Sequence, residues 1–150
     1  NVYLACCGVS RNRFSLIRPR PDDALMHAAG MLVEAVHLTN ERDRLVGELA
    51  YGQQRQLEIA LALSGAPRFI LFDEPAAGLS PAERADLIHI LTPLPSHIGY
   101  IIIEHDMDVA LRVVESVTMM HNGRIFKEGT PREIESDTEV QELYLGGGHG

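Results

Sequence analysis

Residues 68–75 read Arg-Phe-Ile-Leu-Phe-Asp-Glu-Pro, "RFILFDEP", an apolar run that stops on two adjacent carboxylates. The run between Arg68 and Asp73 has the length of a buried strand. In a parallel sheet such a strand leaves Asp73 and Glu74 at the carboxyl edge, where open α/β folds bind ligands. An aspartate there can hold Mg²⁺ through water, and a glutamate beside it can orient or deprotonate an attacking water. Acidic pairs also end strands because loops are solvated, so this fragment alone leaves both readings open.

The hydrophobic period changes near residue 66. Upstream, "PDDALMHAAGMLVEAVHL" carries Ala24, Leu25, Ala28, Leu32, Ala35 and Val36 at helical spacing, and "YGQQRQLEIALALS" reads as a second helix. Downstream, short apolar runs at 69–72, 99–103 and 117–121 alternate with amphipathic stretches, the rhythm of parallel α/β structure. "SPAE" at 80–83 and "TPRE" at 130–133 each place a hydroxyl N-cap, a proline and a capping-box glutamate at a helix start. Leu87, Ile88 and Leu91 then give the first of these helices an inward face. Asn122-Gly123 between two apolar runs predicts a two-residue hairpin that finishes the sheet. The tail "GGGHG" reads as flexible.

Composition narrows the function classes. A chain of 150 residues with 45% hydrophobic content suits one domain, or a piece of one. Its formal charge of −8 argues against a nucleic-acid partner, which needs a basic face. Cys6 and Cys7 are adjacent, which disfavours a disulfide between them and leaves no metal-ligand spacing. No apolar run approaches the length of a membrane span, and the start "NVYLACCGVSRNRF" lacks a signal peptide's pattern. A soluble, cytoplasmic chain is expected, and the absent initial Met suggests a piece of something longer.

Two further fragments carry chemistry. "LAYGQQRQLEIALAL" begins a helix at a glycine, so the backbone N–H groups near Tyr51, Gly52 and Gln53 are expected to be unpaired and to face outward as an anion site. A glycine that merely caps an ordinary helix is the plain alternative. "IIIEHD" ends another apolar strand at charge, where His105 could donate to a phosphate oxygen or serve structure alone.

A glycine-led helix, a strand ending Asp-Glu, "EPAAGLS", a capped helix and a strand ending in His resemble, in that order, the ATP-binding cassette (ABC) ATPases. "LAYGQ" corresponds to that family's signature motif, "FILFDEP" to its Walker B, "AAGLS" to its D-loop and His105 to its switch histidine. The resemblance runs from about residue 1 to 145. "YGQQRQLEIA", "EPAAGLSPAE", "IIIEHDMDVAL" and "ELYLG" are similar to the ATP-binding subunits of branched-chain amino acid importers. The last third is also similar to lipopolysaccharide-export ATPases, and the signature segment favours the importer.

The resemblance implies ATP and Mg²⁺ as cofactors. It implies Glu74 and His105 as catalytic residues, Asp73 as the metal contact, and Ala50, Tyr51, Gly52 and Gln53 as nucleotide contacts. A phosphate-cradling loop needs G-x-x-x-x-G-K-[ST], but the only lysine is Lys127 within "GRIFKEG". The sequence is therefore expected to be the C-terminal part of a longer ATPase and inactive alone. Residues 1–66 would be a helical subdomain remnant, and 67–150 half of a RecA-like core ending in a hairpin and short helices. In the family two subunits sandwich two ATP molecules, so the signature residues would serve a partner's ATP. A second ATPase subunit, transmembrane permease subunits and, indirectly, a substrate-binding protein are the implied partners, at the inner face of the cell membrane.

Four positions depart from the family pattern. Ala50 replaces a serine, which removes a hydroxyl and leaves backbone N–H groups and the helix dipole. Tyr51 replaces a glycine, as in the importer branch. Ser80 stands for an aspartate and Leu61 for an arginine. A non-catalytic binding or dimerisation remnant stays open beside the ATPase reading.

Overall fold

The computed structural model describes residues 1–9 and 24–146. Its elements run α1 (Val2–Gly8), α2 (Ala24–Ala35), two 3₁₀ turns (Thr39–Glu41 and Val46–Glu48), α3 (Tyr51–Ser64), β1 (Phe69–Asp73), α4 (Pro81–Leu91) and β2 (Gly99–Ile103), followed by α5 (Met107–Val113), β3 (Val117–His121), β4 (Arg124–Gly129), α6 (Pro131–Ser136) and α7 (Thr138–Gly146). The helical first part and the later α/β alternation match the change of period in the sequence. The glycine-rich tail after Gly146 lies outside the described residues.

β1 and β2 pair in parallel, with Phe69 opposite Gly99 and Asp73 opposite Ile103. A Cβ on Gly99 would lie 2.9 Å from the Phe69 ring, so the glycine is what lets that ring lie across the neighbouring strand. The even positions Ile70, Phe72, Tyr100 and Ile102 face the core, where the Phe72 and Tyr100 rings meet edge-on at 6.3 Å. The odd positions Phe69, Leu71, Ile101 and Ile103 face solvent, each more than half exposed. A parallel sheet is normally covered on both faces, so this apolar face is unusual.

α1, α2 and α3 close one side of the core and α4 and α5 the rest, around Val36, Ala60, Leu91 and Val109. The inward stripe of α2 is Leu25, Ala29, Leu32 and Val33, continued by Val36 just past its end. Ala24, Ala28 and Ala35, expected on that face, are exposed. The observed stripe keeps to one face at the 3.6-residue period, with Ala29 its buried centre. Ile90 joins Leu87 and Leu91 as the buried face of α4, while Ile88 is only half-buried.

Both capping boxes form. Ser80 donates from its backbone N–H to Glu83 Oε2 at 2.8 Å, and Thr130 does the same to Glu133 at 2.8 Å. The hairpin forms at Asn122-Gly123, whose φ values of +49° and +73° are those a primed two-residue turn needs. It does not finish the parallel sheet as expected. Among the described residues β3 and β4 make a separate two-stranded antiparallel sheet, attached through α6, which packs on β4 and on α5. The apolar run at 117–121 fits a buried parallel strand and a hairpin strand equally well, so sequence could not separate them.

Candidate functional site

The parallel register brings the ends of β1 and β2 level. Asp73 closes β1, and the chain then turns sharply at Glu74, whose φ is +46°. A glutamate in the left-handed region costs on the order of 1–3 kcal/mol, and it persists only where the surroundings impose it. They do so here through the Glu74 N–H, which donates to the Ile103 carbonyl at 2.8 Å, and the Ala77 N–H, which donates to the Glu74 carbonyl at 3.1 Å.

Across the gap His105 follows β2. Its Nδ1 lies 3.6 Å from Glu74 Oε1 and 3.7 Å from Glu104 Oε2. Both separations exceed a direct hydrogen bond. Glu74 and His105 are exposed, with side chains 54% and 73% accessible, whereas the Glu104 side chain is 1% accessible. Two solvent-facing groups thus share one rim, with the exposed Asp73 next to them.

The segment 75–80 after Glu74 is tied to its surroundings on several sides. Ala76 N–H donates to Glu104 Oε1 at 2.8 Å. Tyr51 Oη donates to the Ala77 carbonyl at 3.3 Å, and the Tyr51 ring lies where a Cβ on Gly78 would be 3.2 Å from Cε1. Gly78 itself has φ +75°. Arg84 Nε donates to the Leu79 carbonyl at 3.1 Å, and its guanidinium pairs with Asp106, the N-cap of α5. Arg55 lies over the Tyr51 ring at 5.2 Å and donates to Tyr51 Oη at 2.8 Å.

The start of α3 differs from expectation. The Gln53 side chain accepts from the Ala50 N–H at 3.0 Å, which closes part of the helix end from within. Gly52 is buried against Glu83, and a Cβ there would lie 2.3 Å from Glu83 Oε1. Hydrogen bonds from the Ser80 side chain and backbone hold the Glu83 carboxyl below the usual range, with the Gly52 backbone a lesser influence. The Glu83 carboxylate, rather than open solvent, thus lies against Gly52 at the start of α3. An internal carboxylate already faces it, as the helix N-terminus favours.

The structure brings Asp73, Glu74 and His105 together on one rim, and Ala50, Tyr51, Gly52 and Gln53 at one helix start joined to the 75–80 segment through Tyr51 and Glu83. Sequence reading missed Glu104, Glu83's contact with Gly52, and Arg84. "IIIEHD" displays Glu104, but nothing in residue spacing says that its side chain turns inward.

Among the described residues no group of three or more His, Cys, Asp or Glu side chains could enclose a metal ion. A cation at Asp73 would draw its remaining ligands from water or phosphate. The cleft between α3 and β1, lined by Arg55, Glu58, Ile59, Asp73 and Pro75 among others, holds about 190 Å³, less than a nucleotide-sized pocket. A larger cleft of about 470 Å³ is lined by Met107, Arg112, Arg132 and neighbours, and by none of Asp73, Glu74 and His105.

Residues 11–77 match the family described as ABC transporter. The chain is 38% identical over 129 residues to BraF of Pseudomonas aeruginosa, a high-affinity branched-chain amino acid transport ATP-binding protein, covering 85% of this chain and 51% of that protein. LptB of Haemophilus influenzae, a lipopolysaccharide export system ATP-binding protein, is 37% identical over 119 residues, covering 79% and 49%. Among solved structures, MJ1267, an ATP-binding cassette of an ABC transporter, superposes with a TM-score of 0.75 at 28% identity, covering 95% of this chain and 61% of that one. Its ADP conformation gives 0.72 at 30% identity. The chain spans about half the length of the curated relatives it matches.

Proposed function

The chain belongs to the ABC transporter family, and from that premise we propose that it supplies the hydrolytic rim of an ATPase that energises transport. The observation that supports this reading is the pair Glu74 and His105, 3.6 Å apart on adjacent strand ends. Glu74 accepts the proton of a water attacking the terminal phosphate. His105 donates a hydrogen bond to an oxygen of that phosphate, and the bond to the leaving ADP breaks as the new P–O bond forms. Bound Mg²⁺ would neutralise charge on the phosphate oxygens. Asp73, a single exposed carboxylate at the strand end, suits a water-mediated contact to that ion.

Ala50, Tyr51, Gly52 and Gln53 would meet the ATP of a second ATPase subunit. For that, the Glu83 carboxylate must leave Gly52, since two anions cannot share one helix start. Residues 1–66 act as the helical part and 67–150 as part of the nucleotide-binding core. The sequence holds no G-x-x-x-x-G-K-[ST] loop, so tight phosphate binding requires residues beyond this chain. The cargo we propose is a branched-chain amino acid, carried by transmembrane permease subunits that this subunit meets at the inner face of the cell membrane. LptB is nearly as similar as BraF, which supports lipopolysaccharide export as the second reading.

The test is Glu74→Gln in a protein carrying these residues behind a G-x-x-x-x-G-K-[ST] loop. The amide keeps the shape and removes the base, so ATP should still bind while turnover falls by about two to four orders of magnitude. A variant that keeps most of its turnover would remove Glu74 from the reaction. Uptake assays with a branched-chain amino acid or a lipopolysaccharide then separate the two cargo readings.

A further inference from the structure

We propose that Glu104 is a positioning residue, a buried carboxylate that fixes Glu74 and His105 relative to one another by gripping the backbone on both sides of the gap. Three backbone donors converge on it. Ala76 N–H reaches Oε1 at 2.8 Å, and His105 N–H and Asp106 N–H reach Oε2 at 3.0 and 3.2 Å. Ala76 is two residues after Glu74, and the other two donors are His105 itself and its neighbour. One side chain therefore joins both loops that carry the reacting groups.

Burial makes the grip specific. The Glu104 side chain is 1% accessible, and an inward carboxylate is costly unless its acceptor sites are filled. A carboxylate offers acceptors only, which matches three N–H donors. Together with the Glu74 N–H donating to Ile103, four hydrogen bonds cross or brace the gap between the strand ends. Glu74 sits in a conformation that its surroundings must impose. The grip on Ala76 holds the segment that follows it, and Oε2, 3.7 Å from Nδ1, also faces the His105 ring. This inference rests on the reading of Glu74 and His105 as the groups acting on ATP.

The test has two arms. In the 150-residue chain, amide hydrogen exchange at Ala76, His105 and Asp106 should be slow. Glu104→Gln keeps one carbonyl oxygen and must set its NH₂ against Ala76 N–H or against the His105 and Asp106 N–H pair, so exchange on at least one of the two sides should quicken by about tenfold or more while α4 amides keep their rates. Glu104→Ala should release all three. If a folded Glu104→Gln chain exchanges at these amides as the unaltered chain does, the grip does not exist.

In a protein carrying these residues behind a phosphate-binding loop, Glu104→Gln should lower kcat by about 10–100-fold, as small misplacements of reacting groups do, with KM for ATP nearly unchanged. A merely structural role would lower stability and leave kcat per folded molecule intact. Glu74→Gln runs in parallel. If it abolishes turnover and Glu104→Gln does not lower kcat, the positioning role is overturned and the role of Glu74 stands. If Glu74→Gln itself leaves turnover intact, the reading of Glu74 as the base falls, and this inference falls with it.

Discussion

Glu83 carries two duties at one residue, as the capping-box acid of α4 and as the carboxylate against Gly52. Hydrogen bonds from Ser80 hold its carboxyl below the ordinary value of 4.5, and bonds from Thr130 do the same for Glu133. Asp137 shifts in the same direction through Lys127. A carboxylate with a folded pKa below its unfolded one stabilises the fold fully above the unfolded value. That contribution is lost as pH falls through the folded value. Unfolding midpoints should therefore drop on acidification below 4.5, and Glu83→Gln with Glu133→Gln should flatten that drop. The gap between variant and unaltered chain should shrink as pH falls, and a gap that is constant with pH would contradict the assignment. The contact with Gly52 was not legible in the sequence, because residues 52 and 83 meet only after β1 and the 75–80 segment fold back. The capping pair was legible, being set by spacing within one turn.

At the scale of the element, β1 decides the architecture, and its alternation is directly testable. Ile70 is buried and Leu71 is 69% exposed, so neighbouring residues of similar size should behave oppositely. Ile70→Ala should cost about 2–5 kcal/mol in denaturant unfolding. Leu71→Thr in this chain should stay within about 0.5 kcal/mol, since it loses little buried surface and keeps a strand-compatible side chain. Equal losses at both positions would mean that something covers the outer face, or that the register is wrong. The existence of β1, β2 and the capped helices was legible because each rests on local signals. The separation of the hairpin from the parallel sheet was not, since sheet membership depends on which edges meet.

At the scale of the whole molecule, the chain joins the proposed hydrolytic rim to a helix start through the 75–80 segment. Glu104, Tyr51, Glu83 and Arg84 hold that segment or its flanks. Motif order made this arrangement legible as a family, since the fragments are individually weak and together specific. The inward turn of Glu104 was not, because burial is a property of the assembled core. We propose that these residues supply the base, the histidine and the metal contact of an ATP site but not its phosphate cradle. Calorimetric titration of Mg-ATP into the 150-residue chain tests this most directly. No saturable binding tighter than about 1 mM is expected, and a Kd near or below about 10 μM would show that the chain holds phosphates by itself and contradict the claim.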